Sequence, residues 1–464
     1  MPSSEAPSAA LAVWLASSRD RRMSQLAEFV AFPSVSMDSQ HVQDCHAAAG
    51  WLAQRMCSLG IDNVEVSPTG GLPIVYGDWL HAPGAPTVLV YGHYDVQPVE
   101  PHAEWDTDPF TVVVQGDRIS GRGTADDKGQ ILIHLDAVEA LLATTGTLPV
   151  NLRFVFEGEE ESDAEHFDDW VVAHRDQLRS DVAFVSDTGL FEGNIPAITV
   201  GLRGLLGFQI DVYGSPVQLH SGSHGGVARN PALALATILN SFLDDNGKIA
   251  IAGFYDEVAE LSPSAREQLE ALPFDDASYL AALGVDQSVG ETGRSLLERR
   301  GARPTLDVHG IWGGFRGEGL MTVIPASAHA KVSCRLVPNQ EPGRIAELVR
   351  KHVSAHLPSG VRVEVSSLGQ GAPLEVPTDS WVVSEAAAAV GSAFGREPVY
   401  VWEGGSIPAC EALGRLLEVP VVIMGFTPPN CNTHAPNEWM SLSCYEFGLE
   451  TVVRFLTQVG VAAQ

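Results

Sequence analysis

The apolar run Val150–Phe156 delivers the chain straight into Glu157-Gly158-Glu159-Glu160-Glu161-Ser162, where four carboxylates fall within five residues. Like charges packed so densely at the end of a buried strand repel one another unless a positive charge sits among them, and a metal ion is the usual candidate. An isolated acidic run is more often a solvated turn. The neighbours of this one decide against that reading.

Other apolar runs end in the same way. Thr87-Val88-Leu89-Val90-Tyr91 reads as a strand buried on both faces and leads to Gly92-His93-Tyr94-Asp95. A two-residue spacing in an extended segment puts His93 and Asp95 on one side, so one can ligate while the other steadies it. Val182–Val185 leads to Ser186-Asp187-Thr188-Gly189, and Val419–Met424 precedes Asn432-Thr433-His434-Ala435-Pro436-Asn437-Glu438. In open α/β sheets, ligands gather at the carboxyl ends of the strands. Ser120-Gly121-Arg122-Gly123-Thr124-Ala125-Asp126-Asp127-Lys128-Gly129 opens a helix over about Gln130–Ala143, whose apolar positions Ile131, Leu135, Val138 and Leu142 share a face. Asp127 there also reads as an ordinary N-cap, and the glycines lack the spacing of a phosphate loop. Two histidines with several carboxylates suit zinc, manganese or cobalt better than calcium.

These motifs carry a resemblance. GHYDV, GRGTADDKG, FEGEEES, VSDTG and THAPNE in this order resemble the dinuclear-metal exopeptidases, the family of carnosinases and other cytosolic dipeptidases, glutamate carboxypeptidases, aminoacylase and succinyl-diaminopimelate desuccinylase. It extends from Phe32-Pro33-Ser34-Val35-Ser36 to the His434 loop. The resemblance implies two divalent metal ions per subunit, zinc first, with manganese and cobalt as alternatives. Asp126 would bridge them, with a cis peptide bond after it; His93 and Asp187 would complete one shell, Glu161 and His434 the other. Glu160 would be the general base and Asp95 the carboxylate behind His93. Relatives commonly continue the Glu-Glu-Ser with a glycine and a small residue, whereas Asp163 and Ala164 follow Ser162 here. The three consecutive glutamates leave two registers open, base and ligand at Glu160 and Glu161 or at Glu159 and Glu160.

The fold expected is α/β: a catalytic domain with a mixed central sheet flanked by helices over 1–203 and 371–464, and an inserted α+β lid over 204–370. The lid's strands read as Gly207–Tyr213, Met321–Pro325, Ala328–Leu336 and Val361–Ser366, its helices as Pro231–Phe242 and Glu341–His356. Asp244–Arg303 resembles the longer insert of the dipeptidase branch, and helical packing is expected for most of it; Phe254-Tyr255-Asp256 and Gly310–Gly314 fit that branch too. Within the lid, the resemblance implies that His220 of LHSGSHGG enters a partner subunit's site and steadies the oxyanion, making a homodimer through the lid. Arg335, Thr322 and Ser406 would hold the substrate, the guanidinium gripping a carboxylate. His224 and His329 read as structural.

Composition narrows the partners. With 28 basic against 58 acidic side chains, a net charge of −30 disfavours nucleic acid and anionic membranes. Six scattered cysteines form no C-x-x-C pair, and the N-terminal apolar patch through Ser18 lacks the preceding basic residues of a signal peptide. It reads instead as an amphipathic helix continuing to Phe29, and the cytoplasm as the simplest home. The function that the resemblance implies is a dipeptidase acting on short peptides. A deacylase of N-acyl amino acids and a non-catalytic metal-binding scaffold are the alternatives, the last disfavoured because every expected ligand and a base are present.

Overall fold

The computed structural model describes residues 9–162, 164 and 166–462. Residues 1–8 of the N-terminal expectation, and Asp163, lie outside the described residues. The chain forms two compact units, one of Met1–Val200, Val376–Val401 and Ile407–Gln464, the other of Gly201–Glu375 and Trp402–Ser406.

The first unit is α/β around a mixed sheet. Its strands lie in the spatial order Asp62–Ser67, Ile74–Trp79, Asn151–Glu157, Thr87–His93, Val182–Val185, Val421–Ile423 and Ala197–Leu202. The first pairing is antiparallel, as is Ile74–Trp79 with Asn151–Glu157. Thr87–His93 then runs parallel to both its neighbours, and Val421–Ile423 runs parallel to Val182–Val185. Four central strands therefore end at one edge of the sheet, and the apolar runs are the reason they are central. Phe154, Phe156 and Phe184 are wholly buried, each side chain stabilising by about 1.5–3 kcal/mol relative to exposure. Helices Lys128–Thr145 and Leu442–Ala462 pack on Phe184 through edge-on contacts from His134 and Phe455. The N-terminal helix covers Ala9–Val30 and stops just before Phe32-Pro33. No helix among the described residues is long and apolar enough to cross a membrane.

The second unit is α+β. Its antiparallel sheet runs in the order Thr305–Gly313, Ser327–Leu336, Gly204–Tyr213 and Arg362–Gly371. Strand positions alternate, so that Phe208, Ile210, Val212, Ala330 and Val332 form the core with Ile238 of helix Pro231–Asn240 and Val349 of helix Pro342–Ala355. Both helices start at signals visible in the sequence. Asn230 accepts from the Ala232 N–H, and Glu341 from those of Gly343 and Arg344, with proline at the first helical position in each.

Four expectations for this unit change. Thr305–Gly313 is an additional strand, hidden in the sequence because a register shift between Val308 and Gly310 breaks its alternation. Only Val323–Ile324 of the expected 321–325 strand pairs, with Leu219–His220. The 244–303 insert holds just two short helices, Pro263–Glu270 and Asp276–Ala282, and a π turn at Glu298–Ala302. Ion pairs stand in for regular structure there: Glu260 and Glu298 with Arg294, and Glu291 with Arg303. The segment Trp402–Ser406 groups with this unit rather than with the rest of 371–464, because the Ser406 hydroxyl binds the Arg203 carbonyl at 2.5 Å and Arg203 Nε donates to the Gly404 carbonyl.

Candidate metal centre

The shared carboxyl edge of the first unit's sheet collects the chemistry. His93 ends its strand, the turn Glu160–Ser162 follows Asn151–Glu157, Asp187 lies just beyond Val182–Val185, and the His434 loop follows Val421–Ile423. Asp126 comes from the glycine-rich loop ahead of helix Lys128–Thr145, where Gly123 takes φ +88°. The Asp126–Asp127 peptide bond is cis.

Two clusters form, His93 with Glu160 and Asp187, and Asp126 with Glu161 and His434, the potential ligand atoms within each lying inside 4.8 Å of one another. Asp126 stands between the two imidazoles: Oδ1 is 3.0 Å from His93 Nε2 and Oδ2 is 2.9 Å from His434 Nε2. Asp187 Oδ1 lies 3.7 Å from His93 Nε2, and Glu161 Oε2 lies 3.3 Å from His434 Nε2. Glu160 is thus brought to the His93 cluster as a potential donor, and proximity alone does not distinguish a base from a ligand. Glu159 is turned elsewhere, its carboxylate accepting from the Leu72 N–H at 3.1 Å and meeting His166 Nδ1 at 2.8 Å.

Surrounding groups hold these side chains in place. Asp95 backs both clusters: its carbonyl lies 3.1 Å and its Oδ1 3.4 Å from His93 Nδ1, while Oδ2 accepts from the Glu161 N–H at 3.0 Å. Asp127 occupies the N-cap position but makes no cap hydrogen bond, and its carboxylate accepts instead from the His93 N–H. Three participants escaped the sequence reading: Gln97, which donates to Glu161 Oε2 at 2.7 Å, and the buried pair Arg122 and Glu438 behind the Asp126 loop. Gln97 extends the alternation of His93 and Asp95 by two residues, a spacing that could have flagged it.

The electrostatics call for a cation. Burial would lower the His93 imidazole, but Asp126, Asp187 and Asp95 hold it well above its ordinary range. His434 is likewise raised to about 10, burial being outweighed by hydrogen bonds to Asp126 and Glu161. Asp126 is held below the ordinary carboxylate range because the hydrogen bonds of His434 and His93 outweigh its burial. Asp187 is pushed up to about 6, chiefly by burial, and Glu160 is driven well up by burial and then by the charges of Asp187, Glu161 and Asp126. Glu161 Oε1 is buried and makes no hydrogen bond among the described residues, and buried His93 Nε2 faces the carboxylate oxygens of Asp126 at 3.0 Å and Asp187 at 3.7 Å. Buried polar atoms ordinarily find partners. Imidazole nitrogens and carboxylate oxygens converging around an unpartnered Glu161 oxygen fit divalent cations with nitrogen and oxygen ligands.

The second unit brings two other pairs of expected residues together. Arg335 Nη1 donates to Ser406 Oγ at 2.8 Å, and no carboxylate among the described residues lies within ion-pair distance of Arg335. His220 is exposed, with Nδ1 accepting from the Gly222 N–H, and the next residue, Ser221, donates its N–H to the carbonyl of exposed Thr322. His224 is also exposed, whereas His329 lies between Asp211 and Ser327 and stacks on Trp312.

Comparison with known proteins agrees with this picture. The model described as peptidase family M20/M25/M40 matches residues 89–458. The Cys-Gly metallodipeptidase dug1 of Schizosaccharomyces pombe is 32% identical over 459 residues, covering 95% of this chain and 96% of that protein. Among solved structures, the metallo-carboxypeptidase Sso-CP2 of Sulfolobus solfataricus is 30% identical with a TM-score of 0.86, covering 95% of this chain and 100% of that one. Human carnosine dipeptidase 1 is 27% identical with a TM-score of 0.83, covering 98% and 100%.

Proposed function

The chain belongs to peptidase family M20/M25/M40, and on that premise we propose that it is a dipeptidase, hydrolysing the amide bond of dipeptides or similar short peptides. The observation that carries the reading is the Asp126 carboxylate set between His93 and His434, each backed by further carboxylates. One ion is assigned to His93, Asp126 and Asp187, the other to Asp126, Glu161 and His434. Zinc is the first choice for both, with manganese or cobalt accepted by the same ligands. When bound, the pair supplies a water of lowered pKa and Lewis acidity toward the amide carbonyl.

The chain's own residues do the rest. Glu160 takes the proton of the attacking water and hands it to the leaving amine. Glu159 is not available for this role, its oxygens being engaged by Leu72 and His166, whereas Glu160 faces the His93 cluster. Asp95 orients His93. Arg335 and Ser406 hold the substrate's C-terminal carboxylate, and Thr322, which lies beside the His220 segment, contacts the substrate of the partner subunit; a half-buried guanidinium with a hydroxyl beside it and no carboxylate within ion-pair distance among the described residues suits an incoming one. His220, exposed in its own chain, steadies the oxyanion in a partner subunit, so that the working form is a homodimer joined through the second unit. All six cysteines are free, which supports a reducing compartment, the cytoplasm. Glu160→Ala tests the assignment. Turnover is expected to fall at least 100-fold with two metal ions still bound per chain, as counted by atomic emission. Loss of one ion would make Glu160 a ligand.

A further inference from the structure

The carboxylate of Glu438 is wholly buried and engages four donors at once. Its Oε1 accepts from the backbone N–H groups of Gly123 at 3.0 Å, Ala125 at 2.9 Å and Asp126 at 3.1 Å. Its Oε2 meets Arg122 Nη1 at 2.6 Å. The backbone joins in, the Glu438 carbonyl accepting from the Gly121 N–H at 3.0 Å. Arg122 in turn donates to the Pro98 carbonyl at 3.0 Å and lies over the Trp105 ring.

A buried ion pair of this kind could simply hold loops together. Its position argues for more. One of its donors is the N–H of Asp126, the residue between the two imidazoles, and Glu438 itself lies in the loop that presents His434. The Asp126 loop and the His434 loop are therefore locked to each other through one carboxylate, with charge-assisted bonds on both of its oxygens.

We propose that Glu438, with Arg122 as its counter-charge, is a positioning residue for the metal centre: it fixes the Asp126 backbone against the His434 loop, so that Asp126 presents one oxygen toward each histidine. This rests on the reading of Asp126 as the ligand common to both ions. A glutamine cannot replace Glu438, because an amide has one acceptor end. If its oxygen serves the three N–H groups, its NH2 faces the Arg122 guanidinium; turned round, its NH2 faces the three N–H groups.

The test is cobalt(II) binding to the metal-free full-length protein, followed by calorimetry and visible absorption, with circular dichroism and melting curves recorded alongside. The parent is expected to bind two cobalt ions. Folded Glu438→Gln is expected to bind both more weakly, by about 10–100-fold, and Arg122→Lys to shift the same way by less, since it keeps a charge but loses the planar fork that reaches Pro98. A lowered melting temperature with parental cobalt affinity in Glu438→Gln would reduce the pair to a structural role and overturn the proposal; if Glu438→Gln does not fold, parental affinity in Arg122→Lys does the same. A parent that binds no cobalt would instead remove the metal reading on which the proposal stands.

Discussion

At the residue scale, the centre is a case of incompatible charges made compatible by neighbours. Asp126, Glu160, Glu161 and Asp187 crowd two histidines, and hydrogen bonds with the groups around them, two with Asp95 and one each with Asp127 and Gln97, orient a side chain or its backbone. Arg335 is the counterpart in the second unit, a guanidinium with no carboxylate within ion-pair distance among the described residues. Arg335→Met should raise KM for dipeptides by about 10–100-fold while lowering kcat less, because a bidentate ion pair to the substrate carboxylate is worth about 1.5–3 kcal/mol. Steady-state kinetics checks this, and an unchanged KM would remove Arg335 from the binding groups. His93, Asp126, Asp187 and His434 were legible because each follows a recognisable strand or glycine turn. Gln97 was marked only by its spacing from His93 and Asp95, and Glu438 not at all, since a single polar residue in a loop becomes informative only when its partner, here Arg122, is seen across the fold.

At the element scale, precision comes from the contact between a loop and a helix start. A Cβ on Gly129 would lie 2.0 Å from the Thr124 carbonyl oxygen, so the first turn of helix Lys128–Thr145 is pressed against the loop that carries Asp126. Gly129→Ala is expected to cost about 1–3 kcal/mol of stability and to weaken metal binding with it, because the backbone must part at that point. Melting curves with and without added zinc check both effects; a variant matching the parent in each would show that the loop tolerates displacement. The buried strands of the first unit were plain in the sequence, as continuous apolar runs leave little else to form. The edge strand Thr305–Gly313 was not, because its irregular register and exposed residues blur the two-residue period. The 244–303 insert defeated periodicity for a different reason: its order comes from arginine–glutamate pairs between distant residues, which no local pattern encodes.

At the scale of the whole molecule, catalysis is proposed for the first unit and substrate and oxyanion contacts for the second, with His220 acting across a dimer. Mixing Glu160→Ala with His220→Ala subunits should then restore part of the activity, since one hybrid site receives both intact groups. Hybrids that form but stay inactive would count against a shared site. The measurement that bears most directly on the central claim is hydrolysis by the metal-free protein reconstituted with zinc, manganese or cobalt. Free dipeptides, Cys-Gly and β-Ala-His among them, are compared with N-acetyl and N-succinyl amino acids. Metal-dependent cleavage of free dipeptides in preference to the acylated amino acids is the expected result. Cleavage of the acylated amino acids alone, or turnover unaffected by removing the metal, would contradict it.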